Sequence, residues 1–460
     1  MRPSTRWTRA PRTPSRSPSA WRPRSTSTRR SSARRRASRS RRRRSPSRPT
    51  TRTSSASGCR TSSRRISRSS TRPERRLPVR IALFTNNYLP FYGGVTISVE
   101  TLRQGLEAAG HEAWVFGPRL AGAQDVSDRI VRYPSIPATT YPEFALAVPY
   151  SRRIGRLVAG LDFDVVHAHH PFLLGPAARR LARRARRPLV FTYHTRYEKY
   201  AHYVPLPLGL VESAALRLSA SFAARADAVL APSTVVRDEL HARGVRTPIA
   251  VVPTGVDLDR FCPGDRAAAR RQLGVAEGEA LVLYVGRLDR EKSVDRVLVA
   301  FERIASTVAA ARLVLVGHGT EAERLRRLAS TLSVAPRIRF LGVRPHHDLV
   351  QCYQAADVFL FASETETQGL VLAEAAACGL PAVAVNAPGC DEVVRDGDTG
   401  VLTKGDPTAL AEAAIGLLLD LERRRGMGRR AREVAERAFD VRLQIDRTMA
   451  VYLDAIARGR

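Results

Sequence analysis

Residues 357–379 constrain the fold of this chain more than any other stretch. Residues 357–361 (DVFLF) form an apolar run with the length and side-chain branching of a buried parallel strand. Residues 370–378 are good helix formers, and the glycine that follows them predicts the end of a helix. The unit is therefore strand, tight turn and helix. It carries two carboxylates eight positions apart, Glu366 in the turn and Glu374 in the helix.

This unit predicts a site for an elongated anionic ligand. A helix that begins near Gly369 places Glu374 roughly 7 to 8 Å along its axis, at about 1.5 Å per residue. The N–H groups of Gln368, Gly369 and Leu370 then lie unpaired at the positive end of the helix dipole, where phosphates bind. Glu374 has apolar neighbours on every side, so we expect it to be buried and to need hydrogen-bond donors; a solvated position is the alternative.

The segment SETETQGLVLAEAAACG resembles the Glu-x7-Glu donor motif of retaining glycosyltransferases of family 4, which have the GT-B fold. Its TETQGLV portion is most similar to the branch that glycosylates diacylglycerol. The resemblance covers residues 79–453 and implies an α/β protein with two Rossmann-like, doubly wound parallel-sheet domains that face each other across a cleft. It also implies that Glu366 and the N–H groups of 368–370 hold the donor sugar, while Glu374 holds the nucleotide ribose.

Residues 281–292 predict two cations at the end of another strand. The apolar run 281–285 precedes Arg287 and Lys292, which places both side chains where a diphosphate binds in a doubly wound sheet. The chain contains 73 Arg and only 3 Lys, so a lysine here suggests a need for a compact ammonium. A surface pair with Glu291 is the alternative. The resemblance implies that both cations stabilise the departing nucleotide diphosphate and that the turn at Val343 recognises the base.

The first half of the chain supplies candidates for the other wall of the cleft. A strand at 79–84, a turn at Gly93 and Gly94, and a helix at 95–109 place backbone N–H groups at a strand's carboxyl end. In the resemblance this turn approaches the donor phosphate and the acceptor, and the second histidine of HAHHP, His169, contacts the acceptor and the reacting sugar. Tyr193 and His194 follow the next strand on the acceptor side. Core imidazoles are the alternative for any one histidine, and no metal-ligand spacing accompanies them.

Two stretches of this half suggest contact with a lipid surface. Residues 178–187 (ARRLARRARR) contain six arginines, which could bind an anionic leaflet or could simply form a solvated helix face. Residues 197–210 (YEKYAHYVPLPLGL) are unusually aromatic and would suit an acyl chain, with a core segment as the alternative.

Residues 1–76 differ in composition from the rest of the chain. They contain 26 Arg, one acidic residue and almost no apolar side chains, which predicts disorder. Three interpretations are open for this head: an arm that binds nucleic acid or an anionic membrane, a transit peptide, or an over-extended translation start in GC-rich DNA. We favour the third.

We therefore predict a head at 1–76, an acceptor-side domain at 77–262, a nucleotide-sugar domain at 263–438, and a C-terminal helix at 439–460 that crosses back onto the first domain. No apolar run reaches the ~18 residues of a membrane span, and five scattered cysteines fit a reducing cytosol. The resemblance implies a metal-independent, retaining transfer of a hexose from a UDP- or GDP-linked sugar, without a bound cofactor. We expect a lipid acceptor at the cytoplasmic membrane face; a soluble acceptor such as inositol or a sugar phosphate is the alternative, and nucleic-acid binding is less favoured.

Overall fold

The structure is a computed structural model that describes residues 78–137, 145–197 and 207–459. All of them fall within Glu74–Arg460, which forms one compact unit. The predicted disordered head and most of the aromatic stretch at 197–210 lie outside the described residues. In the described part of the chain, no helix is both long enough and apolar enough to cross a lipid bilayer.

The first half of the described chain builds a parallel sheet of seven strands. In spatial order these are β3 (Ile130–Tyr133), β2 (Glu112–Pro118), β1 (Arg80–Phe84), β6 (Val165–Ala168), β7 (Leu189–Thr192), β8 (Ala228–Ala231) and β9 (Ile249–Val251). A short antiparallel hairpin, β4 (Ser135–Pro137) and β5 (Ala145–Ala147), lies outside this sheet. The accompanying helices are α1 (Gly94–Ala108), α2 (Arg152–Ala159), α3 (Leu174–Ala185), α4 (Leu208–Ala223) and α5 (Thr234–Ala242).

The second half builds a parallel sheet of six strands. In spatial order these are β12 (Ile338–Phe340), β11 (Ala311–Val316), β10 (Ala280–Val285), β13 (Val358–Phe361), β14 (Ala382–Val385) and β15 (Gly400–Thr403). Its helices are α6 (Arg266–Leu273), α7 (Val294–Thr307), α8 (Ala322–Thr331), α9 (Leu349–Ala355), α10 (Leu370–Ala377), α11 (Pro407–Leu419), α12 (Leu421–Ala438) and α13 (Val441–Arg458).

Helices cover both faces of each sheet, which explains why the strands read as continuous apolar runs instead of alternating patterns. All four residues of β13 are buried, as are all four of β6. The predicted fold class, α/β with two Rossmann-like parallel sheets, is confirmed. The sequence did not predict β3, β4, β5 or β15, because these strands have three or four residues each and most are partly exposed.

The last helix returns to the first sheet. Ile445, Met449 and Tyr452 of α13 are buried in the same apolar cluster as β1 and α1. The backbone of the segment before α13 also pairs with the connection between the sheets, through a bridge between Val256 and Asp440. The second sheet is thus followed by an element that packs on the first.

Candidate functional site

Two loops of the second sheet meet where its strand order reverses. β10 and β13 are neighbours, with β11 and β12 on one side and β14 and β15 on the other. Such a switch point leaves a crevice at the carboxyl ends of the strands, which is where ligands of doubly wound sheets bind. The loop after β10 carries Arg287 and Lys292, and the loop after β13 carries Glu366.

The loop at residues 363–369 has a backbone shape that depends on two glycines. Gly369, immediately before α10, has a φ of +71°. Gly389, in the loop after β14, has a φ of +82°, and a Cβ atom there would lie 2.8 Å from the carbonyl oxygen of Glu366. Among the described residues, none accepts a hydrogen bond from the N–H groups of Gln368, Gly369 and Leu370. These groups stand at the N-terminus of α10 and are placed to bind an anion.

Lys292 and Glu366 form an ion pair across the crevice. The Nζ atom of Lys292 lies 2.6 Å from Oε1 of Glu366, and the two side chains are 11% and 15% exposed. Burial by itself raises the pKa of Glu366, but the ammonium of Lys292, with a smaller contribution from Arg287, outweighs it and lowers that pKa below its ordinary value. Glu366 is therefore ionised at neutral pH. Because Lys292 is buried, it is not the surface charge that the alternative interpretation assumed.

Arg287 supplies a second cation to the crevice. Its Nη2 atom lies 2.5 Å from Oε1 of Glu291, and its Nη1 atom pairs with Asp289. Both carboxylates are almost fully buried, whereas the guanidinium side chain is 24% exposed. The two acidic groups hold the planar guanidinium in place, so a fixed positive group reaches the wall of the crevice.

Glu374 is buried inside α10, as its apolar neighbours predicted. It is 2% exposed, and two side chains hold its carboxylate. The hydroxyl of Tyr353 donates to Oε2 at 2.7 Å, and Nε2 of His346 lies 2.7 Å from Oε1. Hydrogen bonds of this kind offset the cost of burying a charged group. They also fix the direction of the carboxylate at the far end of the crevice.

A cleft of about 1680 Å³ runs between the carboxyl ends of the two sheets. It is lined from the second half by Arg287, Lys292, Val343, Glu366, Gln368, Gly369, Leu370 and Glu374, and from the first half by Gly93, Gly94 and His194. Val343 is 53% exposed, so its turn is open to the cleft. The predicted donor-side residues therefore lie along one wall of a single cleft.

The turn before α1 forms part of the opposite wall. Neither Gly93 nor Gly94 has a positive φ, so the backbone conformation does not require glycine at this turn. A Cβ atom added to Gly94 would meet no atom within 4 Å, because that space opens into the cleft. The absence of side chains thus leaves the N-terminus of α1 accessible to a ligand.

The histidines after β6 and β7 form a cluster at this wall, in which His169 and His170 are buried and His194 is partly exposed. Nδ1 of His169 lies 2.8 Å from Nε2 of His194, and the rings stack with centroids 5.1 Å apart. His170 accepts a hydrogen bond from the N–H of Asn86 and lines the cleft together with His194. His169 is 1% exposed and is not among the residues that line the cleft, so it contacts the cleft wall through His194.

Burial keeps these histidines neutral. Desolvation, with a smaller contribution from His194, lowers the pKa of His170 to about 3, and desolvation lowers the pKa of His194 to about 3 as well. The pKa of His169 is well below its ordinary value for the same reason, with further contributions from the neighbouring imidazoles. At neutral pH each ring therefore has one N–H donor and one nitrogen acceptor.

Known protein families match the sequence over most of the described chain. Residues 92–260 match the family model described as Glycosyltransferase Family 4, and residues 265–434 match the model described as Glycosyl transferases group 1. The alpha-monoglucosyldiacylglycerol synthase of Streptococcus pneumoniae is 31% identical over 346 residues, which cover 73% of this chain and 78% of that protein. This chain belongs to the family 4 glycosyltransferases.

Other relatives of this glycosyltransferase differ in their acceptors. The D-inositol 3-phosphate glycosyltransferase 1 of Catenulispora acidiphila is 33% identical over 392 residues, which cover 80% of this chain and 92% of that protein. Among solved structures, the sucrose-phosphate synthase of Thermosynechococcus elongatus superposes with a TM-score of 0.70 at 25% identity, covering 83% of this chain and 100% of that one. The names of these proteins do not indicate one common acceptor.

One acceptor-side prediction for this glycosyltransferase needs correction. Tyr193 is 0% exposed and packs edge-on against Phe191 in the core of the first sheet, so it does not line the cleft. The reason is the alternation of side chains along an extended chain, which sends Tyr193 and His194 in opposite directions. The placement of His194 in the cleft follows from the same alternation.

Several contacts of the glycosyltransferase site were not predicted. His346 and Tyr353, which hold Glu374, are 28 and 21 residues away from it in sequence. The side chain of Gln368 hydrogen-bonds to the backbone of Thr254, and Glu392 accepts a hydrogen bond from the N–H of Val235 at the start of α5. The sequence indicated only that a buried Glu374 needs hydrogen-bond donors, and not that His346 and Tyr353 supply them.

The described residues of this glycosyltransferase contain no group of three or more His, Cys, Asp and Glu side chains that could hold a metal ion. His167, His169 and His170 are close in sequence, but His167 hydrogen-bonds to Tyr452 and Thr192 instead. Arg287 and Lys292 are the cations at the carboxyl end of β10, and each is paired with a carboxylate.

Proposed function

We propose that this glycosyltransferase moves a hexose from a UDP- or GDP-linked sugar to a lipid acceptor such as diacylglycerol, with retention of anomeric configuration. The observation that carries the proposal is the composition of the cleft, which combines a charged wall on the second sheet with a wall on the first that is apolar along β5 and α4. A nucleotide-sugar is anionic and rich in hydroxyl groups, whereas a diacylglycerol presents one hydroxyl on two acyl chains. Each substrate matches one wall.

In this proposal the nucleotide-sugar lies along the second sheet. Its diphosphate binds the N–H groups of 368–370 at the start of α10 and faces Arg287 and Lys292. Glu366 accepts hydrogen bonds from hydroxyls of the hexose, and Glu374 accepts them from the ribose. The base lies at the turn of Val343. The domain boundaries that we propose, 77–262 and 263–438, divide the acceptor wall from this donor wall.

Lys292 has a defined task in the proposed reaction. Its ammonium is already 2.6 Å from Glu366, so one cation can contact the sugar-binding carboxylate and the diphosphate together. Negative charge grows on the diphosphate as the bond to the sugar breaks, and fixed cations in a water-poor crevice stabilise that charge. Two cations at this position support a reaction that needs no divalent metal.

The proposed retention follows a front-face path, in which the departing diphosphate accepts the proton of the acceptor hydroxyl. Two properties of the site support this path. Glu366 is a weak base, because its pKa is lowered and it is paired with Lys292. The Nε2 atom of His194 is hydrogen-bonded to Nδ1 of His169, so it is not available to take a proton from the acceptor hydroxyl. We assign His169 to orienting the reacting groups through His194, and domain closure to excluding water.

The apolar wall supports a lipid acceptor. Leu146 of β5 and Leu210, Val211 and Leu218 of α4 line the cleft. Leu210 is 68% exposed and Leu218 is 57% exposed, although burying such side chains is favourable in water. Ile136, on the hairpin beside them, is 58% exposed. Acyl chains that enter along α4 and the hairpin would cover this surface.

Exposed arginines next to the hairpin support docking on an anionic membrane. Arg152, Arg153 and Arg156 of α2 are exposed, as are Arg183 and Arg184 of α3. The guanidinium of Arg180, also in α3, donates to the carbonyl of Pro149, so α3 is bonded to the segment that follows β5. Each basic residue near an anionic leaflet contributes on the order of 1 kcal/mol to binding. We therefore propose peripheral association with the cytoplasmic face of the membrane.

The test is sugar transfer in vesicles that contain diacylglycerol and an anionic phospholipid, with a panel of UDP- and GDP-sugars as donors. We expect transfer from one donor and little transfer when diacylglycerol is omitted. The same panel, screened first by thermal stabilisation, identifies the donor, because a nucleotide at 100 times its Kd stabilises the fold by about 2.7 kcal/mol. Transfer to soluble acceptors alone would contradict the proposed acceptor.

A soluble acceptor is the second candidate, since the inositol phosphate glycosyltransferase covers more of this chain than the diacylglycerol enzyme does. Inositol, inositol phosphate and sugar phosphates are therefore assayed beside the vesicles. Deleting residues 1–76 and measuring both glycosyl transfer and nucleic-acid binding tests the remaining alternative. We expect the truncated chain to keep full transfer activity.

A further inference from the structure

The carboxamide of Gln368 makes contacts that the proposed donor chemistry does not use. Its Oε1 accepts a hydrogen bond from the N–H of Thr254 at 2.6 Å, and its Nε2 donates to the carbonyl oxygen of Thr254 at 2.9 Å. Gln368 is 5% exposed and Thr254 is 7% exposed. One side chain therefore satisfies both backbone polar groups of a buried residue 114 positions away.

Thr254 lies in the connection between the two sheets, and the next residues of that connection are fixed from the other side. The N–H of Gly255 donates to Oε1 of Gln444 in α13 at 2.9 Å. The N–H of Val256 donates to the carbonyl of Phe439 at 2.7 Å. The connection at 254–256 is thus held between the 363–369 loop and the start of α13.

A second contact extends this connection to α1. The hydroxyl of Thr254 lies 3.0 Å from the hydroxyl of Ser98, and both are buried. Ser98 is one helical turn after Gly94, where α1 begins. A continuous chain of hydrogen bonds therefore runs from Gln368 through Thr254 and Ser98 to the helix that starts at the cleft.

We propose that Gln368 is a positioning residue that couples the two walls of the cleft. When a diphosphate binds the N–H groups of 368–370, the loop and its carboxamide become fixed, and Thr254 and Ser98 then fix the N-terminus of α1 across the cleft. The inference rests on the proposed position of the donor diphosphate but not on the nature of the acceptor. A primary amide suits this role because it has one donor and one acceptor on a rigid planar group.

Hydrogen–deuterium exchange with and without UDP or GDP tests the coupling in the full-length chain. In the unaltered protein we expect the nucleotide to slow exchange at 363–370, at 254–256 and at 94–101. Gln368→Asn keeps the amide but is one methylene shorter, so it cannot reach both groups of Thr254. We expect this variant to retain protection at 363–370 and a nucleotide Kd within about threefold, with at least half of the protection at 94–101 lost and kcat about 10- to 100-fold lower.

Two further variants make the test decisive. Glu364→Gln changes an exposed carboxylate of the same loop that pairs with Arg296, and we expect it to behave like the unaltered protein. Gln368→Met has nearly the same side-chain length, carries no charge and can bond neither group of Thr254, so it gives the same test if the asparagine variant fails to fold: protection at 363–370 and the nucleotide Kd retained, protection at 94–101 and kcat reduced. Parallel changes in Kd and kcat, or undiminished protection at 94–101, would overturn the coupling. No protection at 363–370 in the unaltered protein would instead refute the donor position itself.

Discussion

At the scale of single residues, Glu374 is held by the protein before any ligand arrives. Tyr353 and His346 each donate to, or share a proton with, one oxygen of its carboxylate. A carboxylate oxygen has two lone-pair sites, so each oxygen keeps one site for a further donor, which in the proposed function is a ribose hydroxyl. The protein thus fixes the direction of the carboxylate and leaves part of its hydrogen-bonding capacity unused.

Removing this carboxylate should weaken nucleotide binding. We expect Glu374→Ala to cost about 2 to 4 kcal/mol of binding free energy, because it deletes charge-assisted hydrogen bonds to the ribose. Titration calorimetry with UDP or GDP measures the change, and 2′-deoxy and 3′-deoxy nucleotides serve as controls because they lose the same bonds from the ligand side. An unchanged Kd would refute the assignment of Glu374 to the ribose.

Replacing Lys292 should slow the reaction. A cation about 4 Å from a phosphate contributes on the order of 4 kcal/mol at an effective dielectric constant of about 20, before desolvation is subtracted. We therefore expect Lys292→Met to lower kcat by about 100- to 1000-fold. The matched control is Lys404→Met, since Lys404 is an exposed lysine of the same domain. Equal activity of the two variants would exclude Lys292 from leaving-group stabilisation.

At the scale of elements, α3 separates a packed face from a charged face. Leu174, Ala178 and Ala182 are buried, whereas Arg183 and Arg184 are exposed. The apolar positions recur at helical spacing, so the charged face is directed away from the core. The composition of α3 therefore provides a surface that an anionic membrane could contact.

Reversing charge on this face should release the protein from vesicles. At about 1 kcal/mol per basic residue, Arg183→Glu combined with Arg184→Glu should weaken binding to vesicles with anionic lipid at least 30-fold. Co-sedimentation at low and high salt measures the effect, which salt should diminish. Arg423→Glu combined with Arg425→Glu is the matched control on exposed positions of α12. If the α12 pair weakened binding as much as the α3 pair, docking through α3 would be excluded.

The elements also show what sequence can predict and what it cannot. The strand–turn–helix unit around Glu366 and Glu374 was predictable, because its apolar run, glycines and helix formers are local signals. Tyr193 was placed wrongly because the sequence does not reveal which of two successive residues at a strand end faces the cleft. The bond from Gln368 to Thr254 joins residues 114 positions apart, and no periodicity carries such information.

At the scale of the whole molecule, the last helix links the C-terminal end of the described chain to the first sheet. Tyr452 of α13 lies 2.6 Å from Nδ1 of His167 in β6, so the last helix is bonded to the central strand of the first sheet. A chain that begins in one sheet, passes to the other and returns makes the folding of the two halves interdependent. Protonation of a histidine in the first sheet should therefore lower the free energy of unfolding of the whole described unit.

The buried histidines should make the protein sensitive to mild acid. The pKa of His170 and of His194 falls to about 3 in the fold, mainly through burial, while a histidine in the unfolded chain binds a proton near its ordinary pKa of 6.5. Above pH 6.5 neither state binds the proton and stability does not change. Below 6.5 the unfolded state binds more protons, so the free energy of unfolding falls, and it continues to fall until about pH 3.

Each such histidine can contribute up to about 1.4 kcal/mol per pH unit in this window. The window from 6.5 to 5 separates the histidines from Glu366, whose lowered pKa means that it becomes protonated only at lower pH, and His167 and His169 contribute in the same window because burial lowers the pKa of both. Urea unfolding at pH 7, 6 and 5 measures the slope. His170→Asn places an oxygen where Nδ1 accepts the N–H of Asn86, so we expect it to keep that bond and reduce the slope by up to one proton. A free energy of unfolding that stayed constant from pH 7 to pH 5 would mean that the fold does not hold these imidazoles in the neutral form.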